Sequence, residues 1–513
     1  MALWRSTFIV SAMTMLSRVL GLVRDMVLLN VFGAGKDFDT FVVAFRIPNF
    51  FRRLFAEGAF SQAFIPVLTE YKTTKLHAEV QILISRVFGC LLMVMSLLTL
   101  VSMIIAPVIL YVYAPGFHND PAKFDLAVDM FRLTIPYLMF MSLTAFASSI
   151  LNSYGSFASP AFSPVLLNIA MIAGAWWLSP HLAQPIMALG WAVIVAGVLQ
   201  LAIQIPELWK RKLLIPPKVD FKHEGVDRIL KLMLPALFGV SVTQINLLLN
   251  TIWASFMQDG SVSWLYSAER MTELPLGLIG VAIGTVILPS LSMSKAEQDQ
   301  AKFRKMLDWA ARVIVLVGVP ASIALFMLST PIIQALFQHG AFDARDTEMT
   351  AMALQCMSGG VLAFMLIKVF APGFYAMQDT KTPVRVGLMA VAANAILNVV
   401  FIGFFKLIDW QAQHMALAIA SSGSALVNAG MLYFYLHKRD IFRFGPHWKR
   451  LFIQFVIANL AMIAALWYAM TWYDGTVSQW IRIVEVVGLC VVGIAAYAIA
   501  LFASGFRPRQ LKH

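Results

Sequence analysis

Charged side chains are scarce in this sequence. They make up 13% of its 513 residues, against 60% hydrophobic residues, whereas soluble domains carry about 25% charge. Apolar runs of roughly 20 residues, each long enough to cross hydrocarbon, recur from end to end. Strict alternation of apolar and polar residues is absent, so the runs predict helices rather than a membrane-spanning barrel. We therefore predict an all-α polytopic membrane protein and exclude a string of soluble domains.

Patterns for catalysis and metal binding are also absent. There is no Walker-type phosphate loop and no HExxH motif, and the three cysteines lie in apolar runs without metal-ligand spacing. Asp37 and Asp39 form a DxD-like pair, but that pattern alone is a weak signal for a sugar-nucleotide glycosyltransferase. We expect no enzymatic activity, no cofactor and no bound metal.

The net charge of +12 does not indicate a nucleic-acid partner, because the basic residues are spread through short connections without a contiguous basic domain. Alternate connections hold most of the cations, which by the positive-inside rule places both termini in the cytoplasm. The first apolar run is interpreted as a retained helix of a multi-pass bacterial inner-membrane protein. Fourteen spanning helices are predicted, at 6–31, 40–70, 86–113, 130–152, 160–179, 185–206, 229–256, 263–292, 309–336, 348–376, 383–405, 414–436, 450–472 and 480–504.

Proline positions indicate an internal duplication. Three pairs recur at offsets of 223 or 224 residues: Pro66 and Pro289, Pro107 and Pro331, and Pro160 and Pro383. Six helices per copy would give both copies the same orientation in the membrane, with a cavity between the two bundles. The predicted organisation is an N-terminal bundle (1–206), a cytoplasmic linker (207–228), a C-terminal bundle (229–436), and two extra helices with a tail (437–513).

Ionisable residues inside the predicted spans are the main functional signal, because each costs about 2.5–3.5 kcal/mol at the bilayer centre. The predicted spans contain seven cations and four carboxylates, so ion pairing alone cannot neutralise all the cations. The alternative is that some are structural ion pairs or reach the interface. A central cationic cavity for an anionic, diphosphate-bearing cargo is predicted, since arginine grips phosphate oxygens bidentately. The cations are Arg18, Arg24, Arg46, Arg52, Arg53, Arg270 and Lys368, and the carboxylates are Asp25, Glu57, Glu269 and Glu273.

Four segments carry a family resemblance. SRVLGLVRD (17–25), NFFRRLFAEGAFSQAFIP (49–66), ILPSLS (287–292) and APGFYAMQDTKTPV (371–384) resemble the MurJ (MviN) lipid II flippases, within the superfamily of multidrug exporters and polysaccharide flippases. The resemblance implies fourteen helices, the last two of which shape a groove for the lipid tail. It also implies transport of lipid II, the undecaprenyl-diphosphate-linked disaccharide-pentapeptide precursor of peptidoglycan, to the periplasmic leaflet.

The resemblance also implies roles for individual residues. The essential cavity cations of the family match Arg18, Arg24, Arg52 and Arg270, which we predict to bind substrate. One cavity acid, usually aspartate in the family, is Glu269 here. The carboxylates of the sodium site of some relatives are not found. Cavity-lining or gating positions are Asp25, Asp39, Asn49, Arg53, Glu57, Ser263, Glu269, Glu273 and Lys368, together with Ser17, which helical spacing places on the face of Arg24.

The predicted mechanism is alternating access, with the membrane potential favouring outward movement of an anion. A flippase for another polyprenyl-diphosphate-linked oligosaccharide remains an alternative, as does a non-transporting scaffold of cell-wall synthesis. A cation-driven drug exporter is disfavoured because its cavity should be negative. The expected partners are lipid II and membrane lipids, with cell-wall synthesis proteins as further candidates; the oligomeric state is not predicted.

Overall fold

A computed structural model describes residues 2–52, 60–277, 281–445 and 447–507. The described chain is helical and contains no strand, which confirms the predicted all-α class. Its α-helices are α1 (Ala2–Phe32), α2 (Lys36–Phe51), α3 (Phe60–Thr74), α4 (His77–Ile104), α5 (Ala106–Tyr113), α6 (Pro121–Thr134), α7 (Pro136–Ser153), α8 (Ala158–Ala173), α9 (Met187–Ala202), α10 (Ile205–Lys210), α11 (Glu224–Ser255), α12 (Ser261–Pro275), α13 (Val281–Ala296), α14 (Gln300–Met327), α15 (Ser329–Phe337), α16 (Ala344–Ala376), α17 (Lys381–Leu407), α18 (Met415–Lys438), α19 (His447–Met470) and α20 (Gln479–Ala503).

Ten helical segments in the described chain are long and apolar enough to cross a membrane. The protein is therefore a multi-pass membrane protein, although the predicted count of fourteen spans is not confirmed. The predicted spans at 6–31, 40–70, 229–256 and 263–292 are not among the ten, which are His77–Ile104, Pro121–Ser153, Ala158–His181, Met187–Lys210, Gln300–Met327, Ala344–Ala376, Lys381–Leu407, Met415–Lys438, His447–Met470 and Gln479–Ala503. Three of the four omitted segments contain the predicted intramembrane charges, which lower their hydropathy.

The predicted helices at 40–70 and 263–292 each correspond to two described helices. The first is described as α2 and α3, and the second as α12 and α13. Both leave α-helical pitch for π pitch where the description stops, at Arg52 and at residues 276–277. Pro48 lies inside α2 and Pro275 ends α12, and a proline removes a hydrogen-bond donor from the ladder. Since π turns are frequent at functional sites, both positions mark functional candidates.

Helix starts follow local capping chemistry. The carboxylate of Asp120 accepts the backbone N–H of Lys123 and begins α6, with proline at the first helical position. Asp299 caps α14 in the same way. Asp343 and Asp346 form a reciprocal capping box at the start of α16. These caps satisfy backbone N–H groups at the helix starts through residues that are close in sequence.

The chain divides into two compact units, 1–262 and 263–513. In the first, α1 packs on α8 and α2 packs on α6; in the second, α14, α16, α17 and α18 form the largest contacts. Because lipid is as apolar as these cores, helix packing stabilises each unit through van der Waals contacts rather than through the exclusion of water. The first unit includes α11, whereas the sequence repeat assigns 229–256 to the second bundle. The duplicated bundle organisation remains a prediction.

Candidate functional site

Arg24 on α1 is a buried arginine whose partners lie on two helices. Its Nε and Nη2 donate to Oδ1 of Asp25, at 3.0 and 2.7 Å, and its Nη1 donates to Oδ1 of Asn168 on α8, at 3.0 Å. Nδ2 of Asn168 in turn donates to the carbonyl oxygen of Ser17, at 3.0 Å. Asn168 therefore bridges two positions on the face of α1 that Ser17 and Arg24 share. This bridge holds the guanidinium in one orientation.

Arg46 of α2 and Arg52, directly after this helix, each donate to a neutral oxygen. Arg52 Nε donates to Oδ1 of Asn49, 2.9 Å away on the preceding turn. Arg46 Nη1 donates to Oγ1 of Thr251 on α11, at 2.8 Å. Neutral acceptors orient an arginine without cancelling its charge. Both guanidinium groups belong to half-buried residues, so their charge can act on a nearby anion.

Arg18 is a further charged residue of α1. It is half-buried, and within the described residues its side chain has neither a hydrogen bond nor an ion pair. Two predicted site residues, Arg53 and Glu57, lie outside the described residues. The geometry of the predicted stripe on helix two is therefore described only for Asn49 and Arg52.

The second unit carries its charges on α12 and α16. Arg270 Nη1 donates to Oε2 of Glu273, at 2.8 Å, with side chains 31% and 45% exposed. Glu269 is half-buried, and Ser263 is fully buried with its carbonyl oxygen accepting the Ser267 hydroxyl, at 2.8 Å. Pairs this exposed contribute about 0–1 kcal/mol in water. Arg270 is thus close to its carboxylate yet accessible to another anion.

Lys368 is an exposed cation on α16, which continues without interruption from Ala344 to Ala376 although Pro372 lies inside it. In the described part of the chain its ammonium group has no hydrogen-bond or ion-pair partner. An unpaired cation within a spanning segment is a functional candidate by default, because its desolvation is not offset.

Asp39 belongs to a buried charge cluster that the sequence pattern does not single out. Its Oδ2 accepts the ammonium group of Lys123, at 3.1 Å, and the backbone N–H of Gly260, at 2.8 Å. Nζ of Lys123 also donates to Oδ1 of Asp259, at 2.6 Å, and lies 4.3 Å from the ring centroid of Phe117. Asp39 and Lys123 are 1% and 4% exposed. The cluster joins the start of α2, the start of α6 and the connection before α12.

Sequence reasoning missed Lys123, Asp259, Asn168 and Thr251. In the predicted topology Lys123 lies in a short connection with few cations, and no local spacing connects it with Asp39, 84 positions away. Asn168 is a polar residue within an apolar helix, which was a usable signal because such residues usually bond across helices. Its partner on α1 could only be identified from the packing of α1 on α8.

The predicted intramembrane site residues that the structure describes, counted over both units, include more cations than carboxylates. The structure describes six of the seven predicted cations and three of the four predicted carboxylates. Two ion pairs link them, Arg24 with Asp25 and Arg270 with Glu273. Such a set suits a multiply charged anion held by several guanidinium groups. No cluster of three or more histidine, cysteine, aspartate or glutamate side chains arranged to hold a metal occurs in the described residues.

A second polar cluster lies outside the spans, in the family motif at 371–384. Asp379 accepts the backbone N–H and the hydroxyl of Thr382, at 3.0 and 2.6 Å, and Nη1 of Arg439, at 2.6 Å. Desolvation by burial raises the pKa of Asp379, but the bonds from Thr382 and Arg439 outweigh it and lower the pKa to about 2. The motif thus caps the start of α17 and ties it to the end of α18.

The spans and intramembrane cations define a multi-pass membrane protein of the transporter class, and solved structures share its fold. A structure titled lipid II flippase MurJ, inward closed conformation, matches with a TM-score of 0.77 and 25% identity, covering 96% of this chain and 98% of that one. An inward-facing multidrug resistance MATE family transporter matches with a TM-score of 0.67 over 82% of this chain and 94% of that one, at 13% identity. The second match concerns the fold alone.

Sequence comparisons identify the family. The family model for lipid II flippase MurJ matches residues 28–487. A probable lipid II flippase MurJ of Vibrio cholerae is 43% identical over 99% of this chain and 98% of the relative. A lipid II flippase MurJ of Burkholderia cenocepacia is 41% identical over 99% of this chain and 98% of the relative. The chain belongs to the lipid II flippase MurJ family, as its motifs predicted, and is a multi-pass inner-membrane protein.

Proposed function

We propose that this chain moves lipid II from the cytoplasmic to the periplasmic leaflet, and that Arg18, Arg24, Arg52 and Arg270 bind its diphosphate. Family membership supports the cargo. The observation that carries the binding role is the excess of cations over carboxylates in the described site. A diphosphate supplies the missing negative charge and offers oxygens on which guanidinium groups can act bidentately.

The four arginines contribute to binding in different ways, because their hydrogen-bond partners differ. Arg24 is held by Asp25 and Asn168, so it presents its charge without reorganisation when cargo arrives. Arg52 is oriented by a neutral amide, and Arg270 exchanges a partly exposed carboxylate for a phosphate oxygen. Arg18, which has no described partner, contributes an uncompensated charge.

The remaining polar residues line the transport path or hold one conformation closed. Asp39 is the clearest gating candidate, because its buried bonds to Lys123 and Gly260 must break before the segments that it joins can separate. The proposed cavity and gating set is Ser17, Asp25, Asp39, Asn49, Arg53, Glu57, Ser263, Glu269, Glu273 and Lys368.

The energy for transport comes from the membrane potential, in an alternating-access cycle. With both termini in the cytoplasm and the inside negative, outward movement of an anion is favoured by about 2.3 kcal/mol per charge per 100 mV. The same inside-negative potential favours the return of the empty, positively charged site towards the cytoplasm. Flipping that continues at an unchanged rate after the potential is collapsed would contradict this part of the proposal.

The deciding experiment is depletion of the native protein and complementation with single alanine variants of Arg18, Arg24, Arg52 or Arg270. Normal membrane levels with lipid II retained in the inner leaflet are expected. Arg443→Ala is the matched control, because Arg443 is an exposed arginine paired with Asp440 outside the spans and should complement fully. Complementation by all four site variants would instead support a scaffold. Accumulation of a different polyprenyl-diphosphate lipid would identify another cargo.

A further inference from the structure

An apolar cavity in the first unit has no charged residue among the described residues that line it. It encloses about 640 Å³ of space, its open mouth included, and side chains of α3, α4, α7 and α11 line it. The wall includes Phe60, Val87, Leu91, Val94, Ile229 and Met233. Val94 and Leu230 at the mouth are 41% and 39% exposed, so the cavity opens to the surroundings of the helices.

A non-helical segment, residues 211–223, forms one edge of this cavity and is here named the strap. The strap is fixed along α4. Gln81 Nε2 donates to the carbonyl of Lys212, at 2.7 Å, and the Ser85 hydroxyl donates to the carbonyl of Pro216, at 2.7 Å. The backbone N–H of Lys218 donates to the carbonyl of Ser85, at 3.1 Å. A rigid strap keeps its side chains at constant positions relative to the cavity.

The strap lies unusually close to α4. A Cβ added to Gly89 would come within 2.4 Å of the backbone carbonyl carbon of Lys218, so only glycine permits this approach. One turn away, the N–H of Asp220 donates to Sγ of Cys90, at 3.4 Å, and the carboxylate of Asp220 lies 3.6 Å from Nε of Arg86. This contact places Phe221 of the strap in the cavity wall.

The charge pattern of α4 shows where the hydrocarbon boundary falls. Arg86 is the last charged residue of the helix, and residues 87–104 are uncharged. Those 18 residues span about 27 Å at 1.5 Å per residue, close to the roughly 30 Å hydrocarbon thickness. The cavity wall begins at Val87, directly beyond this boundary. The cavity therefore lies at the depth of the first part of a lipid acyl chain.

The strap carries an interfacial pattern at the same boundary. Leu214, Val219 and Phe221 are 46%, 49% and 39% exposed, and the exposed Lys218 and Lys222 stand on either side of Val219–Phe221 in the sequence. Among the described residues, the ammonium groups of Lys218 and Lys222 make no hydrogen bond or ion pair. Exposed apolar residues interleaved with unpaired cations are typical of segments that bind anionic membrane surfaces.

We propose that the cavity and the strap together form a binding site for one anionic glycerophospholipid. One acyl chain occupies the apolar cavity, and the headgroup phosphate contacts Lys218 and Lys222. The occupant is a lipid rather than a soluble polyanion because the cations border an almost wholly apolar cavity at hydrocarbon depth. The site is independent of the diphosphate-binding arginines.

The test uses the full-length protein in phosphatidylcholine nanodiscs, with phosphatidylglycerol carrying a diazirine in one acyl chain as the probe. The same diazirine chain on phosphatidylcholine is the comparison probe. Labelled peptides are mapped by mass spectrometry. Phosphatidylglycerol should label residues 87–95 and 226–233 preferentially. Lys218→Gln/Lys222→Gln should lower its preference over phosphatidylcholine by about tenfold or more, since each surface lysine contributes roughly fivefold.

Two controls separate the site from general effects. Val94→Trp fills the mouth and should abolish labelling of the cavity, whereas Val101→Trp, at the same 41% exposure two turns further along α4 but outside the cavity wall, should leave it within about twofold. Lys295→Gln/Lys305→Gln removes the same charge from exposed positions in the second unit. Labelling spread evenly over lipid-facing helices, equal labelling by both probes, or an equal loss in the control would overturn the proposal. A cavity that neither probe labels would mean that protein covers it, and this result would also overturn the proposal.

Discussion

The two compact units hold their intramembrane charges differently. In the first, Arg24 and Asp39 are at most 8% exposed, and each is bonded to an opposite charge and to a neutral group. In the second, Arg270 forms a pair whose members are 31% and 45% exposed, and Lys368 is exposed. Burial makes a charge depend on its partner, because an uncompensated buried ion is costly. The first unit therefore contains buried charges, such as Asp39, on which its packing depends, whereas Arg270 and Lys368 of the second unit are accessible to a ligand.

The strongest test of this comparison is Lys123→Met. It removes the cationic partner of the buried Asp39 carboxylate, so we expect a loss of about 3–5 kcal/mol of stability, the usual cost of removing one member of a buried pair. Thermal unfolding followed by size-exclusion chromatography in detergent measures it. Asp39→Asn added to the same chain should recover part of the loss. An unchanged unfolding temperature would show that the cluster does not stabilise the first unit.

A smaller effect is expected for Asn168→Leu, which keeps the volume but removes the bridge between Arg24 and Ser17. Loss of a hydrogen bond to a charged group costs about 1.5–3 kcal/mol, and the freed Arg24 should bind diphosphate less well. Unfolding temperature and lipid II leaflet distribution are both measured. Normal flipping in a destabilised variant would show that the bridge serves only the fold.

Asp379→Asn tests whether the second unit fixes polar groups outside its spans. The bonds from Thr382 and Arg439 weaken, and the expected loss is about 1 kcal/mol at pH 7. Since the folded pKa, about 2, lies below the ordinary value of 3.8, this stability is fully present above pH 3.8. It is lost as the pH falls through about 2. The difference in unfolding temperature between parent and variant should thus be equal at pH 6 and pH 8, and shrink below pH 4.

The smallest change in stability is expected for Arg270→Gln. An exposed pair contributes about 0–1 kcal/mol, so the unfolding temperature should stay close to that of the parent while flipping is lost. Arg270→Lys keeps the charge but not the bidentate fork and should recover flipping only in part. A large fall in unfolding temperature would contradict the assignment of this arginine to binding.

Much of the fold could be predicted from local patterns. Apolar run length predicted α4, α9, α14, α17, α19 and α20 as spans, since membrane helices satisfy their backbone bonds within the segment. Four further predicted spans, at 6–31, 40–70, 229–256 and 263–292, are not among the ten found in the described residues, so the count of fourteen stays a prediction. Three of these four segments carry site charges, which lower their hydropathy.

The candidate site was only partly accessible to sequence reasoning. Helical spacing placed Asn49 beside Arg52 and Glu273 beside Arg270, because those bonds lie within one turn of a single helix. It could not pair Lys123 with Asp39, or Asn168 with Arg24, because these residues meet only when distant helices pack.

The sequence by itself determined the membrane environment, the all-α class, the family and the candidate intramembrane cations. All four depend on composition, run length or motifs, which are local properties of the chain. Only the tertiary structure decided that Lys123 is buried against Asp39, that Asn168 bonds to Arg24, where α4 and the strap enclose a cavity, and why Gly89 is needed there. Those features depend on contacts between residues more than 80 positions apart, whose free energy is set by burial and distance rather than by neighbours in the chain.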